Sequence, residues 1–405
     1  MNEDIVVTGL GCISAAGNNL IEFEKRLFNQ GSNQAIAPVT LFPITNNDNY
    51  IAAEVKSYEA SEHFTKNELK LLDRYAQFAV ISAQEAINHA DIDLATQNLN
   101  RISVVHGTSI GGQETIEYSY SQLFEQGKTR THPFTVPKLL PSAATSQISI
   151  KFGITGPSFA TSSACSSSGH AIAMAVLMLR SNLIDVAVVG GAEACITRGN
   201  FLAWDGLRVL SSDTCRPFSK GRSGLVIGEG AGTLILERKS FALARNATIH
   251  AKITGIGMSS DAHNAVQPLA EGAQQAMQAA LNDAKLSAKD IDYINAHGSA
   301  TIQNDQTESQ AIGSVFNTGS KAPLVSSTKS VHGHVLGAGA AIEAIASILT
   351  LKRQQIPATA NFIDSDPLCP INIVSKQIAE TKVNKVLSNS FAFGGLNVSL
   401  IFEKH

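Results

Sequence analysis

The chain carries little charge, and its apolar runs are short. Only 16% of its 405 residues are charged, the net charge is −3, and no block rich in lysine and arginine occurs. This composition gives no reason to expect a nucleic acid or an anionic membrane as a partner. The longest apolar run, 171–179, ends at Arg180. It is too short to cross a lipid bilayer, so no membrane span is expected.

The cysteines form no pattern typical of disulfides or zinc sites. There are five of them, an odd number, and no two are spaced as CxxC. Reduced thiols in a cytosolic protein fit this usage better than a disulfide framework does. The first residues, MNEDIVVTGLG, carry acids where a secretory signal would carry bases. We therefore expect a cytoplasmic location.

No stretch rich in proline, glycine or serine divides the chain into parts that could move independently. Hydrophobic residues make up 44% of it, enough to bury a large core. Apolar segments such as DVAVVGG and GTLILE are typical of strands buried in a sheet that helices cover on both faces. Helical patterns are found at 66–90, 168–182, 272–285 and 339–353. These observations predict one layered α/β core.

Two segments have degenerate second copies farther along the chain. The decapeptide SSACSSSGHA, which contains Cys165, resembles SSTKSVHGHV, which contains Lys329 and His334. Upstream of each copy, RISVVHGTS resembles IDYINAHGSA, and the alignment places His106 opposite His297. The repeats predict a duplicated α/β unit.

We place the boundary between the two halves after residue 250. The half at 1–250 carries Cys165, and the half at 251–405 carries His297 and His334. Two facing copies of one scaffold can bring a thiol of one half against imidazoles of the other. An enzyme that joins two reactants through a covalent intermediate needs this geometry.

Cys165 is the candidate nucleophile. The small residues SSSG follow it and open an apolar helix, which predicts a thiol at a helix N-terminus. There, unpaired N–H groups and the helix dipole favour the thiolate. Small neighbours also leave room for a substrate carbonyl against the local N–H groups. The remaining cysteines are interpreted as structural residues: Cys12, Cys195, Cys215 and Cys369.

His297 and His334 are the candidate partners of this thiol. His297 follows a strand and precedes a GSAT turn, and His334 lies at the mouth of the next helix. Imidazoles at equivalent strand ends form a convergent pair. No third residue with HxxxH or Cys/His spacing accompanies them, so no metal is expected. Their first-half equivalents, His106 and His170, are interpreted as packing residues.

Four motifs, in order along the chain, resemble those of the β-ketoacyl-acyl-carrier-protein synthases of the thiolase fold: GPSFATSSACSSS, INAHGSAT, SSTKSVHGH and NSFAFGGLNVSLIF. The resemblance covers the whole chain. It implies a five-layered αβαβα protein that works as a homodimer or as a heterodimer with a ketosynthase-like subunit. The implied reaction condenses a cysteine-bound acyl group with malonyl-acyl-carrier protein and releases carbon dioxide. No cofactor is implied, since the phosphopantetheine of acyl carrier protein carries the substrates.

The resemblance also assigns roles to single residues. Cys165 would carry the acyl group, and His297 and His334 would assist decarboxylation of the malonyl group. The resemblance further implies an ion pair of Lys329 with Glu343 and a supporting polar network that contains Asp305 and Glu308. Phe393 would be a gate, and its N–H would share the oxyanion hole with that of Cys165. Ser299 and Thr301 would contact the pantetheine arm, and Ile110 would limit the length of the acyl chain.

Docking of the acidic carrier protein would need a local basic patch. Lys66 and Lys70, which are one helical turn apart, and Arg208, in a loop-like segment after Trp204, are the candidates. A solvated helix face is the alternative interpretation of these residues.

The sequence departs from the family pattern at several positions. It has Ser219 and Ser223 where many members have aspartates, and Leu396 where threonine is usual. These departures concern the class of substrate rather than the type of reaction. Fatty-acid synthesis and a type II polyketide or aryl-polyene system, in which the chain pairs with a subunit that controls chain length, both remain open.

Two further alternatives are less well supported by the residues. A non-catalytic partner subunit would have no need to retain Cys165, His297 and His334 together. A cysteine hydrolase would have no need for Lys329 or a second imidazole.

Overall fold

The computed structural model describes residues 3–29, 35–44, 49–316, 322–376 and 381–405. The strands in these ranges are β1 (Ile5–Ser14), β2 (Ala37–Pro38), β3 (Ile51–Ala52), β4 (Ile102–Gly107), β5 (Ser158–Thr161), β6 (Val186–Glu193), β7 (Gly230–Arg238), β8 (Ala251–Ser260), β9 (Tyr293–Asn295), β10 (Leu324–Ser326), β11 (Lys385–Ala392) and β12 (Leu396–Glu403). The α-helices are α1 (Leu20–Leu27), α2 (Ala60–His63), α3 (Lys66–Leu69), α4 (Arg74–His89), α5 (Gln113–Phe124), α6 (Thr135–Leu139), α7 (Ala143–Phe152), α8 (Ser167–Arg180), α9 (Arg198–Gly206), α10 (Lys239–Ala244), α11 (Ala270–Ala284), α12 (Ile302–Phe316), α13 (Lys329–His332) and α14 (Gly339–Arg353). Within the described ranges, no helix is long and apolar enough to span a bilayer.

The main sheet repeats one strand order twice. The order is β5-β4-β6-β7-β1 in the first half and β10-β9-β11-β12-β8 in the second. In each half the first three strands are parallel, and the fourth is antiparallel to both of its neighbours. Residues 5–7 of β1 pair with 251–253 of β8 and join the halves edge to edge. The duplicated α/β unit predicted from the sequence repeats is confirmed.

The helices and half-sheets stack in five layers. Both α8 and α14 contact strands of the two half-sheets, so they form the middle layer. This position explains why α14 is buried on all sides over 339–351. On the outer faces, α4 packs on the first half-sheet and α11 on the second. The predicted αβαβα architecture is confirmed.

Glycines set the distance between the outer helices and the sheet. A Cβ at Gly9 or Gly11 of β1 would lie 2.2 or 2.1 Å from a carbonyl oxygen of α4. A Cβ at Gly255 or Gly257 of β8 would lie 2.3 or 2.0 Å from a carbonyl oxygen of α11. Because β1 and β8 are the equivalent first strands of their halves, both copies use the same close helix–strand approach.

The boundaries of three of the four predicted helices agree with α8, α11 and α14 to within two residues. The prediction of one helix over 66–90 is wrong. The helix is interrupted between α3 and α4. Asp73 is extended (φ −72°, ψ 158°) and caps α4 by accepting the Tyr75 N–H at 3.2 Å. The Asp73 carboxylate also accepts the N–H of Thr115 at 2.9 Å. This tertiary contact keeps Asp73 out of the helix.

Candidate active site

Cys165 lies in the turn between β5 and α8. The preceding residue, Ala164, has a φ of 52°, a conformation that a residue with a Cβ seldom adopts and that turns the chain sharply. Serines hold the turn: the Ser163 N–H donates to Ser167 Oγ at 2.9 Å, and Ser166 Oγ donates to the Ser163 carbonyl at 2.8 Å. The small residues noted in the sequence therefore form the turn that carries the thiol to the N-terminal end of α8.

The thiol is more deeply buried than the sequence suggested. Cys165 is 7% exposed, and burial raises the pKa of its thiol to about 11. The positive charge of Lys329 lowers this pKa, the negative charge of Glu193 raises it, and the N–H groups of Phe393 and Cys165 itself lower it. The thiol is therefore protonated at neutral pH. The helix N-terminus favours the thiolate, but desolvation of the buried sulfur has the larger effect on its pKa.

This pKa predicts how Cys165 reacts with iodoacetamide. The alkylation rate is expected to rise about tenfold per pH unit between pH 7 and 10 without levelling off, since only the thiolate reacts. Peptide mapping by mass spectrometry measures the rate at this residue, and a short cysteine peptide, whose rate levels off near its own pKa of about 8.5, is the control. A plateau for Cys165 below pH 9 would show that the helix N-terminus outweighs burial.

The two candidate histidines meet beside the thiol. The ring centroids of His297 and His334 are 5.3 Å apart, and the ring planes are at 80°. Burial lowers the pKa of both rings well below the usual value, and the charge of Lys329 lowers both further. Both imidazoles are therefore neutral at physiological pH. Each can donate one N–H without bringing a positive charge.

Backbone groups orient His334. The Leu336 N–H donates to His334 Nδ1 at 3.3 Å, which leaves the ring proton on Nε2. The His334 N–H donates to the Val226 carbonyl at 2.7 Å, and the His334 carbonyl accepts the Gly228 N–H at 2.9 Å. The first half of the chain thus holds the backbone of a histidine that belongs to the second half.

Buried carboxylates hold the turn after His297. Glu308 of α12 accepts the N–H groups of His297 at 2.8 Å and Gly298 at 2.7 Å. Asp305 accepts the Ala300 N–H at 3.2 Å. Burial raises the pKa of Glu308 to about 7 and that of Asp305 to about 6. Through these hydrogen bonds both carboxylates support the turn after His297, and their part in the reaction stays a prediction.

Lys329 and Glu343 form a fully buried ion pair. Lys329 Nζ donates to Glu343 Oε1, and both side chains are 1% exposed. Burial raises the pKa of Glu343 to about 7, and the nearby lysine lowers it. The pair places one positive charge beside both imidazoles, which contributes to keeping them neutral.

Breaking this pair is expected to destabilise the protein. Lys329→Met leaves Glu343 buried without a cation and should lower the free energy of unfolding by about 3–5 kcal/mol. The double variant Lys329→Met/Glu343→Leu removes both charges and should regain most of that loss. Urea unfolding of the wild type, both single variants and the double variant measures the coupling. Additive losses in the double variant would contradict a coupled pair.

A pocket of about 300 Å³ joins these groups. Cys165, His297 and His334 line it. Ser299 and Thr301 lie in its wall, with their hydroxyl oxygens 2.9 Å apart. The remaining lining residues include Phe393, which stacks on Trp204 with ring centroids 5.7 Å apart, and the glycines Gly394 and Gly395, whose φ values are 81° and 69°.

Of the other predicted site residues, Arg208 lines the pocket, whereas Ile110, Lys66 and Lys70 do not. Ile110 does not line it and packs in the hydrophobic cluster that contains Cys165. Arg208 is exposed and lines the pocket. Lys66 and Lys70 are exposed in and just after α3 and do not line it. Among the described residues, no group of three or more His, Cys, Asp or Glu side chains is placed to hold a metal ion.

Three residues of the site were missed in the sequence. Trp204 stacks on Phe393, and Arg222 is buried 3.4 Å from the Asp305 carboxylate. Glu193 lies fully buried at the end of β6. Of the three, only Glu193 could have been recognised from its sequence neighbours, because an acid at the end of an apolar strand has to find buried partners.

Comparison with known proteins gives one consistent family. The family model "Beta-ketoacyl synthase, N-terminal domain" matches residues 2–242, and "Beta-ketoacyl synthase, C-terminal domain" matches 250–363. Nodulation protein E of Rhizobium sp. (strain N33) is 40% identical over 100% of both chains. The 3-oxoacyl-[acyl-carrier-protein] synthase 2 of Staphylococcus aureus (strain COL) is 38% identical over 100% of this chain and 99% of its own.

Solved structures that superpose on this chain are also ketosynthases. The ishigamide ketosynthase/chain length factor superposes with a TM-score of 0.94 at 31% identity, and coverage is 100% of both chains. A type II polyketide synthase ketosynthase, solved in complex with its acyl-carrier protein, gives a TM-score of 0.90 at 26% identity over 100% of both chains. The chain belongs to the β-ketoacyl synthase family. It is therefore an acyltransferase with the condensing activity of this family, and the resemblance inferred from its four motifs is confirmed.

Proposed function

We propose that Cys165 receives an acyl group from acyl carrier protein and that His297 and His334 stabilise the enolate formed when malonyl-acyl-carrier protein loses carbon dioxide. One observation carries this assignment: a single pocket contains a thiol from the first half of the chain and two neutral imidazoles from the second. Neutral N–H donors can stabilise an enolate oxygen without a metal, and we propose that the reaction needs no cofactor.

The reaction has two stages. In the first, Cys165 Sγ attacks the acyl thioester, and the carrier's pantetheine thiol leaves with the cysteine proton. In the second, the bond between C2 and the carboxyl carbon of the malonyl group breaks, carbon dioxide leaves, and an enolate forms. C2 then attacks the acyl-cysteine carbonyl, a carbon–carbon bond forms, and the carbon–sulfur bond breaks. The Cys165 sulfur leaves as a thiolate and takes a proton from water, which restores the thiol. The product is a β-ketoacyl thioester on the carrier.

The acyl-cysteine carbonyl needs donors of its own. We assign this role to the N–H groups of Cys165 and Phe393, both of which interact with the sulfur. Since they belong to different halves, movement of the loop at Phe393 would open or close this oxyanion hole. The stacking of Phe393 on Trp204 holds the gate in the conformation described.

The pantetheine arm and the acyl chain of the substrate are assigned to different groups of residues near the thiol. The hydroxyls of Ser299 and Thr301 lie in the pocket wall and would bind the pantetheine arm. Ile110 packs in the hydrophobic cluster with Cys165 and would limit the length of the bound acyl chain. Products longer than those of the wild type are expected from Ile110→Ala.

Incubation with acyl-primed and malonyl-loaded carrier protein tests the proposed function. Intact-mass spectrometry should show a β-ketoacyl carrier whose chain is two carbons longer than the primer. The same assay with primers of different length and saturation, with and without a subunit that controls chain length, separates fatty-acid synthesis from polyketide or aryl-polyene synthesis. Absence of a condensed product under all of these conditions would refute the proposal.

Docking of the carrier protein is expected to depend on Arg208, which is exposed at the pocket. Arg208→Glu should raise the KM for malonyl-acyl-carrier protein about 2- to 5-fold. A change of this size corresponds to the free energy that one exposed ion pair contributes to binding. It should leave the KM for a small malonyl thioester unchanged, and the effect should shrink at high salt. Lys70→Glu tests the second proposed contact, and Lys289→Glu, at an exposed lysine outside the pocket, is the matched control. Equal changes for both substrates would contradict docking.

We further propose that the chain pairs with a second ketosynthase-like subunit, either its own copy or a chain-length factor. Among the described strands, β5 pairs only with β4 and forms one edge of the sheet. A free strand edge is a ready template for pairing with another chain. Native mass spectrometry of the chain alone and mixed with such a subunit distinguishes a homodimer from a heterodimer, and a monomer in both samples would refute pairing.

The synthesis is assigned to the cytoplasm. All five cysteines are unpaired and buried, a state that a reducing compartment preserves.

A further inference from the structure

Glu193 lies between the two halves of the protein and is fully buried at the end of β6. Its Oε2 accepts the Ser109 N–H at 2.7 Å, the Ser109 hydroxyl, and the Gly337 N–H at 3.0 Å. Its Oε1 accepts the Thr108 hydroxyl at 3.0 Å and the Ile110 N–H at 3.4 Å. The carboxylate therefore ties the loop after β4 to a turn of the second half.

That turn orients one of the catalytic histidines. Gly337 directly follows Leu336, whose N–H donates to His334 Nδ1. Leu336 has a φ of 42°, which a leucine adopts only when its surroundings impose it. The hydrogen bond from Gly337 to Glu193 lies one residue from this strained position and is directed across the boundary between the halves.

The contact is too close to tolerate a side chain on the turn. A Cβ at Gly337 would lie 2.3 Å from the Ser109 nitrogen and 2.7 Å from Glu193 Oε2. A Cβ at Gly339, two residues farther on, would meet no atom within 4 Å. The chain thus offers a matched pair of glycines, one inside the contact and one outside it.

We propose that Glu193 is a positioning residue for the condensation: its carboxylate holds the Leu336–Gly337 backbone so that Leu336 fixes the His334 ring for malonyl decarboxylation. The inference rests on the proposed function of His334. It assigns no chemical step to Glu193, which does not line the pocket.

The charge of Glu193 has a second, separable effect. Its negative charge raises the pKa of the Cys165 thiol, so removing the charge alone should favour the thiolate. Glu193→Gln keeps an oxygen in place of Oε2, which can accept the Ser109 and Gly337 N–H groups. Its NH2 group replaces Oε1 and can donate to the Thr108 hydroxyl, and only the long contact with the Ile110 N–H at 3.4 Å is lost. This variant therefore separates the hydrogen bond to the turn from the charge.

The test measures two half-reactions, acylation of Cys165 and release of carbon dioxide from malonyl-acyl-carrier protein. Gly337→Ala and Glu193→Ala should lower the decarboxylation rate on the order of 10- to 100-fold, because small misplacements of a reacting group have effects of this size. Acylation should change about 3-fold or less. Gly339→Ala should leave both rates unchanged. Glu193→Gln should retain decarboxylation within about 3-fold and shift the alkylation curve of Cys165 to lower pH.

The outcomes separate the positioning role from the proposed function. A wild-type protein that neither acylates Cys165 nor decarboxylates malonyl-acyl-carrier protein contradicts the proposed function. If the wild type is active, two results would overturn the positioning role. One is an equal loss of the acylation and decarboxylation rates in Gly337→Ala, and the other is the same loss of decarboxylation in Gly339→Ala as in Gly337→Ala. Loss of decarboxylation in Glu193→Gln equal to that in Glu193→Ala also overturns it. If Glu193→Ala does not fold, as judged by its melting temperature, the glycine pair and Glu193→Gln decide.

Discussion

Replacing Cys165 with alanine is expected to lower the rate of condensation on the order of 10⁴-fold or more, the size of effect seen when a catalytic nucleophile is removed. The reason is that Cys165 is the only cysteine that lines the pocket with His297 and His334 among the described residues. Without the thiol no acyl-enzyme can form. Decarboxylation of malonyl-acyl-carrier protein should persist, because both imidazoles remain. Intact-mass spectrometry follows both processes.

Cys195→Ala is the matched control for this experiment. Cys195 is buried in the same hydrophobic cluster as Cys165 but does not line the pocket. The control should acylate and condense at nearly the wild-type rate. Peptide mapping of the acylated wild type should place the added mass on Cys165. An acyl group found on Cys195 or Cys215 would overturn the assignment of the nucleophile.

Replacing either His297 or His334 with alanine should have the opposite effect to Cys165→Ala: decarboxylation should be lost and acylation of Cys165 retained. Each variant removes one N–H donor that we propose stabilises the enolate oxygen, and loss of such a donor lowers rates on the order of 10²–10³-fold. Acylation of Cys165 should continue, because the thiol and the N–H groups of Cys165 and Phe393 are untouched. Release of carbon dioxide from malonyl-acyl-carrier protein and the mass of the cysteine peptide measure the two effects separately.

His170→Ala is the control for the histidine variants. His170 is the first-half equivalent of His334 in the sequence repeat, and its Nδ1 lies 2.8 Å from Ser163 Oγ rather than in the pocket. The control should decarboxylate malonyl-acyl-carrier protein at nearly the wild-type rate. If the His297 and His334 variants lose acylation and retain decarboxylation, these residues belong to the other half-reaction.

The sequence alone determined the fold and predicted the residues that we propose to react. Strand and helix periodicity is a local property, and it predicted α14 at 339–353 with its observed bounds. The repeats placed His106 and His297 at equivalent positions, and they lie on or just after β4 and β9, the second strands of the two halves. The duplicated local patterns suffice to predict these equivalent positions, because each half folds into the same strand order.

The tertiary structure decided how these residues behave. Burial raises the pKa of Cys165 and lowers those of His297 and His334, and desolvation depends on every neighbouring atom rather than on the adjacent residues. The link from Glu193 to Gly337 joins residues 144 positions apart. The break in the helix predicted at 66–90 follows from Asp73 bonding to Thr115. A local pattern determines which element a residue joins, whereas its charge state and orientation depend on contacts that form only when the two halves pack together.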